Sequence, residues 1–240
     1  MKAIITFHSI DTSGSVLSYS PKLFGSLLAA LDKSSVPVLS LDELLKTEAK
    51  KGITLTFDDG MRSLYSEAMP ILRDYSMPAH LYLTTSAIGK NNRWPTQPAD
   101  APGFDMLTWD EIEELHKAGI YIDSHTHSHP DMRKLSREQM EQECETADQL
   151  IGERLGRRPE YFAYPYGYKN LNASEFVRNR YKATVTTELR TLGSKEDIAN
   201  LPRLDSYYLK SNWIQNNIDS SLSLMYLTLR GLMRSIRGTQ

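Results

Sequence analysis

The sequence predicts an α/β barrel, in which parallel strands alternate with helices along the chain. Short apolar runs recur throughout, and amphipathic stretches of helical period separate them. The length of 240 residues suits one large barrel domain. Seven or eight such units favour a barrel over an open sheet, although periodicity alone does not decide closure.

Strands are expected where short runs rich in β-branched and aromatic residues occur, near residues 2–7, 36–39, 53–57, 79–84, 120–123, 161–164, 182–186 and 201–207. Helices are expected over residues 21–33, 61–74, 109–118, 136–151 and 172–180. Ser136 and Gln139 form a capping box before the fourth of these helices. Gly119 follows the third, where a left-handed residue commonly ends a helix.

Composition excludes several classes of function. Hydrophobic residues make up 40% and charged residues 24%, as in ordinary soluble proteins, and the net charge of −2 argues against a nucleic-acid partner. Cys144 is the single cysteine, so no intrachain disulfide can form. The first apolar run is too short for a signal peptide, and no run is long enough to span a membrane. We therefore expect a cytoplasmic protein.

The chain divides into a barrel over residues 1–210 and an amphipathic helical tail over residues 211–240. One helical stripe of the tail is apolar and consists of Leu222, Met225, Leu229, Leu232, Met233 and Ile236. Three arginines flank this stripe, namely Arg230, Arg234 and Arg237. We expect the stripe to pack on the barrel wall, while the arginines keep open a peripheral contact with a membrane surface.

Polar residues follow two of the predicted strands. Asp58 and Asp59 end one strand, and a run from His125 to His129 follows another. Strand ends of this kind share one rim, where α/β barrels carry out their chemistry. Two imidazoles and one carboxylate can hold Zn²⁺ with a position left for water, and a second carboxylate can act as a base.

The spacing of the histidines selects two of the three. His125 and His129 lie four residues apart, so one turn of chain can aim both inward while His127 points away. A histidine-rich surface loop is the alternative reading of this run. The pair of aspartates at the end of a second strand favours the metal site.

Three motifs occur in a fixed order: Thr-Phe-Asp-Asp-Gly at 56–60, Ser-His-Thr-His-Ser-His-Pro-Asp-Met at 124–132 and Phe-Ala-Tyr-Pro-Tyr-Gly at 162–167. With them the chain resembles the polysaccharide deacetylases, the NodB-homology group also called carbohydrate esterase family 4. An early aromatic-His pair makes it similar to the exopolysaccharide deacetylases of that group. The resemblance implies a distorted (β/α) barrel of about seven strands that removes acetyl groups from N-acetylated sugars of a polysaccharide or glycolipid.

The resemblance also implies roles for individual residues. Asp59, His125 and His129 would bind zinc or another divalent metal such as Co²⁺, Ni²⁺ or Mn²⁺, and Asp58 would be the general base. The backbone N–H of Tyr166 would help to hold the oxyanion.

Two positions depart from the family pattern. Many members place an arginine that orients the base four residues before the motif glycine, but Ala163 stands there. Arg203, near the end of a late strand, can reach the rim instead, or it can pair with Asp205 at the surface.

The second departure concerns the general acid. No histidine occurs after His129, so the C-terminal Leu-His acid motif of the family is missing. His8 ends the first predicted strand and is the natural replacement, as acid or substrate contact. Its alternative is a structural histidine at a strand end.

Two other functions compete with polysaccharide deacetylation. One is a related barrel hydrolase that acts on a non-saccharide amide or an O-acetyl ester. The other is a carbohydrate-binding homologue that has lost turnover, as Ala163 and the missing late histidine suggest. Against this second function, the base and all three expected ligands are present.

Overall fold

The computed structural model describes residues 1–46, 48–97 and 100–236. Within these ranges, seven parallel strands form a curled sheet and two further short strands pair beside it. In chain order the strands are β1 (Lys2–Phe7), β2 (Ser9–Ile10), β3 (Ser18–Tyr19), β4 (Gly52–Asp59), β5 (Ala79–Leu83), β6 (Tyr121–Ser124), β7 (Tyr161–Ala163), β8 (Ala183–Val185) and β9 (Leu204–Asp205).

The large sheet runs in the order β8-β7-β6-β5-β4-β1-β9, and every neighbouring pair is parallel. The segment 201–205 closes it, because Leu201 bridges Val185 of β8 and Leu204 pairs with Ile5 of β1. The predicted distorted barrel of about seven strands is therefore confirmed. Closure also places Arg203, which is only 1% exposed, inside the barrel.

Helices surround the sheet, most of them on its outer face. They are α1 (Pro21–Lys33), α2 (Leu41–Leu45), α3 (Met69–Asp74), α4 (Trp109–Lys117), α5 (Arg137–Leu155), α6 (Leu171–Arg178), α7 (Asn212–Asn216) and α8 (Ser221–Ile236). The capping box predicted at Ser136 and Gln139 opens α5, and Gly119 takes a left-handed φ of 94° after α4. These local predictions are confirmed.

The strand predicted at 36–39 is wrong. Only one bridge forms there, between Val38 and Ile53, and Pro37 has no N–H with which to extend a ladder. β5 takes over the same edge of β4 from Leu55 onward. The helix predicted at 61–74 is also shorter, because a π-helical turn precedes α3.

The core has two layers because successive strand residues face opposite sides of the sheet. Ile5 and Leu55 pack outward against the helices, whereas Ile4 and Val185 pack inside the barrel. Every residue of β4 is buried, as expected for a central parallel strand. By the same alternation, Asp58 faces the barrel interior.

The apolar stripe of the tail does not pack on the barrel wall, so that prediction is wrong. Its members are 42–76% exposed, and α8 instead packs through Ser223, Leu227 and Gly231. A Cβ at Gly231 would overlap the carbonyl oxygen of Leu189, so the absence of a side chain permits this close approach. Arg237 lies outside the described residues. Among those described, no helix has the length and hydropathy that crossing a bilayer requires.

Candidate metal centre

Two consecutive carboxylates at the end of β4 face one cavity. Successive strand residues ordinarily point to opposite sides, but Asp59 has a φ of 73°, which breaks the alternation. Asp58 and Asp59 therefore both line a cavity of about 160 Å³ at the carboxyl end of the barrel. His8, His125 and Tyr166 contribute to the same cavity.

Asp59, His125 and His129 come together at its floor. The Nε2 atoms of His125 and His129 lie 3.3 Å and 3.4 Å from Oδ1 of Asp59, and the three ligand atoms lie within 4.8 Å of one another. All three residues are buried. Nδ1 of His125 lies 2.8 Å from the carbonyl oxygen of Ala163 and donates to it, which orients the ring with Nε2 towards Asp59.

The donor set fits a divalent transition metal. Zinc bonds of ~2.0–2.1 Å in a tetrahedral arrangement separate neighbouring ligand atoms by roughly 3.3 Å. The two distances from Asp59 to the imidazoles match that separation. Nitrogen and carboxylate ligands are also those that catalytic zinc sites use. His127 points away, with Nδ1 2.9 Å from Oγ1 of Thr85.

Burial and hydrogen bonding shift the pKa values of Asp59 and His129. Burial alone would raise the pKa of Asp59, but hydrogen bonds with His125 and His129 outweigh it and hold that pKa well below its ordinary value. Burial lowers the pKa of His129, despite the opposing effect of Asp59. A metal ion bound here would require an ionised carboxylate and neutral imidazoles as its ligands.

Asp58 is held by a different partner. Both terminal guanidinium nitrogens of Arg203 donate to its carboxylate, with Nη1–Oδ1 and Nη2–Oδ2 distances of 2.6 Å. Arg203 also donates from Nε to the carbonyl oxygen of Thr186 at 2.9 Å. Burial would raise the pKa of Asp58, but the charge and hydrogen bonds of Arg203 outweigh it, so the pKa is lowered.

The structure thus places Arg203 against the predicted base rather than against Asp205. Asp205 instead lies 3.7 Å from Arg234 of α8. Ala163, at the position where many family members carry arginine, supplies only its backbone carbonyl to His125. Arg203 reaches Asp58 because barrel closure brings the segment 201–205 next to β1.

His8 and Tyr166 also line the cavity. The Nε2 atom of His8 is 4.0 Å from Oδ2 of Asp58, and its side chain is 26% exposed, so it can reach both the base and solvent. Tyr166 has a left-handed φ of 59°. The following Gly167 is also left-handed, and a Cβ there would overlap the side chain of Thr187.

The sequence predicts a functional role for the long loop over residues 89–106, with Trp94 either stacking on a sugar ring or anchoring the loop, but nothing in it singles out Thr96. Trp94 and Thr96 belong to the described part of this loop, and both contact residues of the site. The Trp94 ring lies 4.3 Å from that of His129, and its Nε1 donates to the Tyr166 hydroxyl at 3.1 Å. Thr96 donates to the carbonyl oxygen of His129 at 2.8 Å. The signals in the sequence are the length and the Pro and Gly content of the loop, together with the aromatic side chain of Trp94.

These features define a class: a parallel α/β barrel with a buried carboxylate–imidazole cluster at the carboxyl ends of its strands. The chain belongs to the polysaccharide deacetylase family, whose model matches residues 45–185.

Proteins similar in sequence support this assignment. The poly-beta-1,6-N-acetyl-D-glucosamine N-deacetylase of Staphylococcus aureus (strain MRSA252) is 26% identical over 209 residues, which cover 80% of this chain and 66% of that protein. The first two curated relatives are matched over 64% and 66% of their own lengths, so the chain spans about two thirds of them.

Solved structures show the same fold. The Streptococcus pyogenes deacetylase PplD, in complex with acetate, superposes with a TM-score of 0.73 at 25% identity, covering 85% of this chain and 91% of that one. IcaB from Ammonifex degensii also gives 0.73, at 21% identity, covering 89% and 96%.

The ion pair between Asp58 and Arg203 yields a prediction about stability. In metal-free protein, Arg203→Met should lower the free energy of unfolding at neutral pH by about 3–5 kcal/mol, because it leaves a buried charge unpaired. Denaturant unfolding in EDTA measures this. Arg178→Met, which removes the exposed partner of Asp197, is the control and should cost at most about 1 kcal/mol.

The contribution of the Asp58–Arg203 pair to stability should depend on pH in a defined direction. In the wild type, the lowered pKa of Asp58 contributes stability that is present above the unfolded pKa and is lost as pH falls through the folded one. Without Arg203, burial raises that pKa, so stability falls as pH rises. The loss of unfolding free energy in Arg203→Met, relative to the wild type, should therefore become smaller towards acid pH. A loss of unfolding free energy that does not change with pH would contradict the pairing of Arg203 with ionised Asp58.

Proposed function

We propose that the protein is a metal-dependent deacetylase that removes acetyl groups from N-acetylated sugars of a polysaccharide or glycolipid. The observation that carries this proposal is the convergence of Asp59, His125 and His129 on one point beside Asp58. The family and the Staphylococcus aureus relative, named for N-deacetylation of poly-beta-1,6-N-acetyl-D-glucosamine, support the substrate class.

Asp59, His125 and His129 would hold the ion. A divalent metal bound there would polarise the acetamide carbonyl and lower the pKa of a coordinated water. Asp58 accepts a proton from the attacking water, since the bidentate contact with Arg203 leaves a lone pair on each oxygen.

Two further groups complete the reaction. The N–H of Tyr166 donates to the carbonyl oxygen as negative charge develops on it. His8, beside Asp58 and reachable from solvent, donates a proton to the departing amine so that the C–N bond can break. Trp94 and Tyr166 give one wall of the cavity an aromatic surface suited to the acetyl methyl and the sugar face.

A direct assay separates this function from its rivals. Purified protein supplied with Zn²⁺ or Co²⁺ should release acetate from N-acetylglucosamine oligomers. Activity only on simple amides or O-acetyl esters would favour the alternative hydrolase. Binding of the oligomers without release would favour the carbohydrate-binding homologue.

Asp58 and His129 should respond differently to substitution. Asp58→Asn should keep the bound metal but lower kcat by about 10²–10⁴-fold, because the base is lost while the ligands remain. His129→Ala should lose both metal and turnover. Elemental analysis and the acetate assay measure the two properties. Full activity of Asp58→Asn would remove this carboxylate from the mechanism.

His8 should affect the pH profile. His8→Ala should lower kcat/KM and change the decline in rate at alkaline pH, where a general acid loses its proton. Rates measured across the pH range test this, with His116→Ala as the control because His116 does not line the cavity. A lower rate with an unchanged profile would instead assign His8 to substrate contact.

A peripheral membrane contact through α8 is a separate proposal. Its support is the exposed apolar stripe defined above, together with the absence of any acidic residue over 221–236 and the presence of Arg230 and Arg234. Sedimentation with vesicles containing anionic lipid should carry the protein down, and Leu229→Ser combined with Leu232→Ser should abolish this. Equal sedimentation of both proteins would overturn the contact.

A further inference from the structure

We propose that Glu143 is a positioning residue for the candidate metal centre, acting from α5 on the turn that joins His125 to His129. This inference rests on the proposed function, because it concerns metal binding by these histidines. Glu143 lies outside the cavity and belongs to none of the three motifs.

The turn has an unfavourable backbone. Thr126 and His129 both have left-handed φ angles, of 67° and 57°, in residues that are not glycine. Such conformations are each unfavourable by about 1–3 kcal/mol and persist only where surrounding contacts impose them. The direction in which His129 presents its Nε2 therefore depends on what holds this turn.

Glu143 supplies three contacts to the middle of the turn. Its Oε2 accepts hydrogen bonds from the backbone N–H groups of His127 at 3.0 Å and Ser128 at 2.8 Å. Its Oε1 accepts from the Ser128 hydroxyl at 2.6 Å. Two successive N–H groups thus converge on one carboxylate oxygen, and hydrogen bonds to a charged acceptor are about twice as strong as neutral ones.

The turn has other contacts as well: the His127 carbonyl oxygen accepts from the Ser86 N–H at 2.9 Å, and His127 Nδ1 lies 2.9 Å from Oγ1 of Thr85. His129 N–H donates to Oγ1 of Thr126 at 3.1 Å, and the His129 carbonyl accepts from Thr96 at 2.8 Å. Glu143 is the group that ties the middle of the turn to a helix of 19 residues. Without it, the N–H groups of His127 and Ser128 would turn towards water, and the left-handed backbone on either side would relax.

Glutamine at this position offers a sharp control. Its amide oxygen can accept from both backbone N–H groups, while its NH₂ donates to the Ser128 hydroxyl, which then acts as acceptor. All three contacts survive without the charge. Glu143→Gln should therefore keep the turn in place, whereas Glu143→Ala removes every contact.

Metal affinity is the deciding measurement. Co²⁺ titrated into metal-free protein should bind Glu143→Ala about 10–100-fold more weakly than the wild type, as substitutions next to metal ligands commonly do. The visible spectrum of the Co²⁺-loaded Glu143→Ala protein should also differ from that of the wild type, because the spectrum reports the arrangement of the ligands. Glu143→Gln should bind within about threefold of the wild type, since the same contacts support the ligands. Glu141→Ala, on the exposed side of α5, should match the wild type.

Stability in EDTA separates positioning from a purely structural role. A Glu143→Ala protein that unfolds more easily yet keeps wild-type Co²⁺ affinity and spectrum would overturn the inference. So would equal losses of affinity in Glu143→Ala and Glu141→Ala. If the wild type itself binds no Co²⁺, the proposed function fails and the inference fails with it. A wild type that binds Co²⁺ with an unaffected Glu143→Ala overturns the inference alone.

Discussion

Asp58 and Asp59 are adjacent carboxylates that are both buried, and the site depends on giving each its own partner. A buried carboxylate without compensation takes up a proton rather than stay charged. Arg203 compensates Asp58 with two short hydrogen bonds, whereas Asp59 faces two imidazoles. The two groups thereby acquire different chemistry: Asp58 stays ionised beside a fixed cation, and Asp59 keeps an oxygen directed at the point where a metal ion fits.

Strand order explains how these partners meet. β1 lies between β4 and β9, so the residue that follows β1 and the segment that precedes β9 both reach the end of β4. His8 and Arg203 are far from Asp58 in sequence, yet both approach its carboxylate. A one-residue slip of β4 would turn Asp58 out of the barrel and separate all three, because strand side chains alternate. Register and closure are therefore as necessary to the site as the residues themselves.

The sequence predicted what depends on local patterns. Strand-end motifs identified Asp58, Asp59 and the histidine run, and alternating apolar segments predicted the barrel. The partner of Arg203 stayed open because barrel closure decides it, and no local pattern reports closure. Glu143 was missed because α5 carries several glutamates with nothing in their spacing to distinguish one. The packing of the apolar stripe on α8 was predicted wrongly. The opposite face of the helix packs on the protein instead, because its small residues Ser223 and Gly231 allow a closer approach.

Backbone strain shows that the barrel alone does not build the site. Among the described non-glycine residues with positive φ, Asp59, Thr126, His129 and Tyr166 lie at the site, and Ser76 is the exception. Strained backbone persists where neighbouring structure imposes it. Here the neighbours are α5 and the described part of the loop 89–106, whose hydrogen bonds reach the histidine turn and Tyr166. The strands deliver the ligands to one rim, and these outer elements fix the direction in which the ligands point.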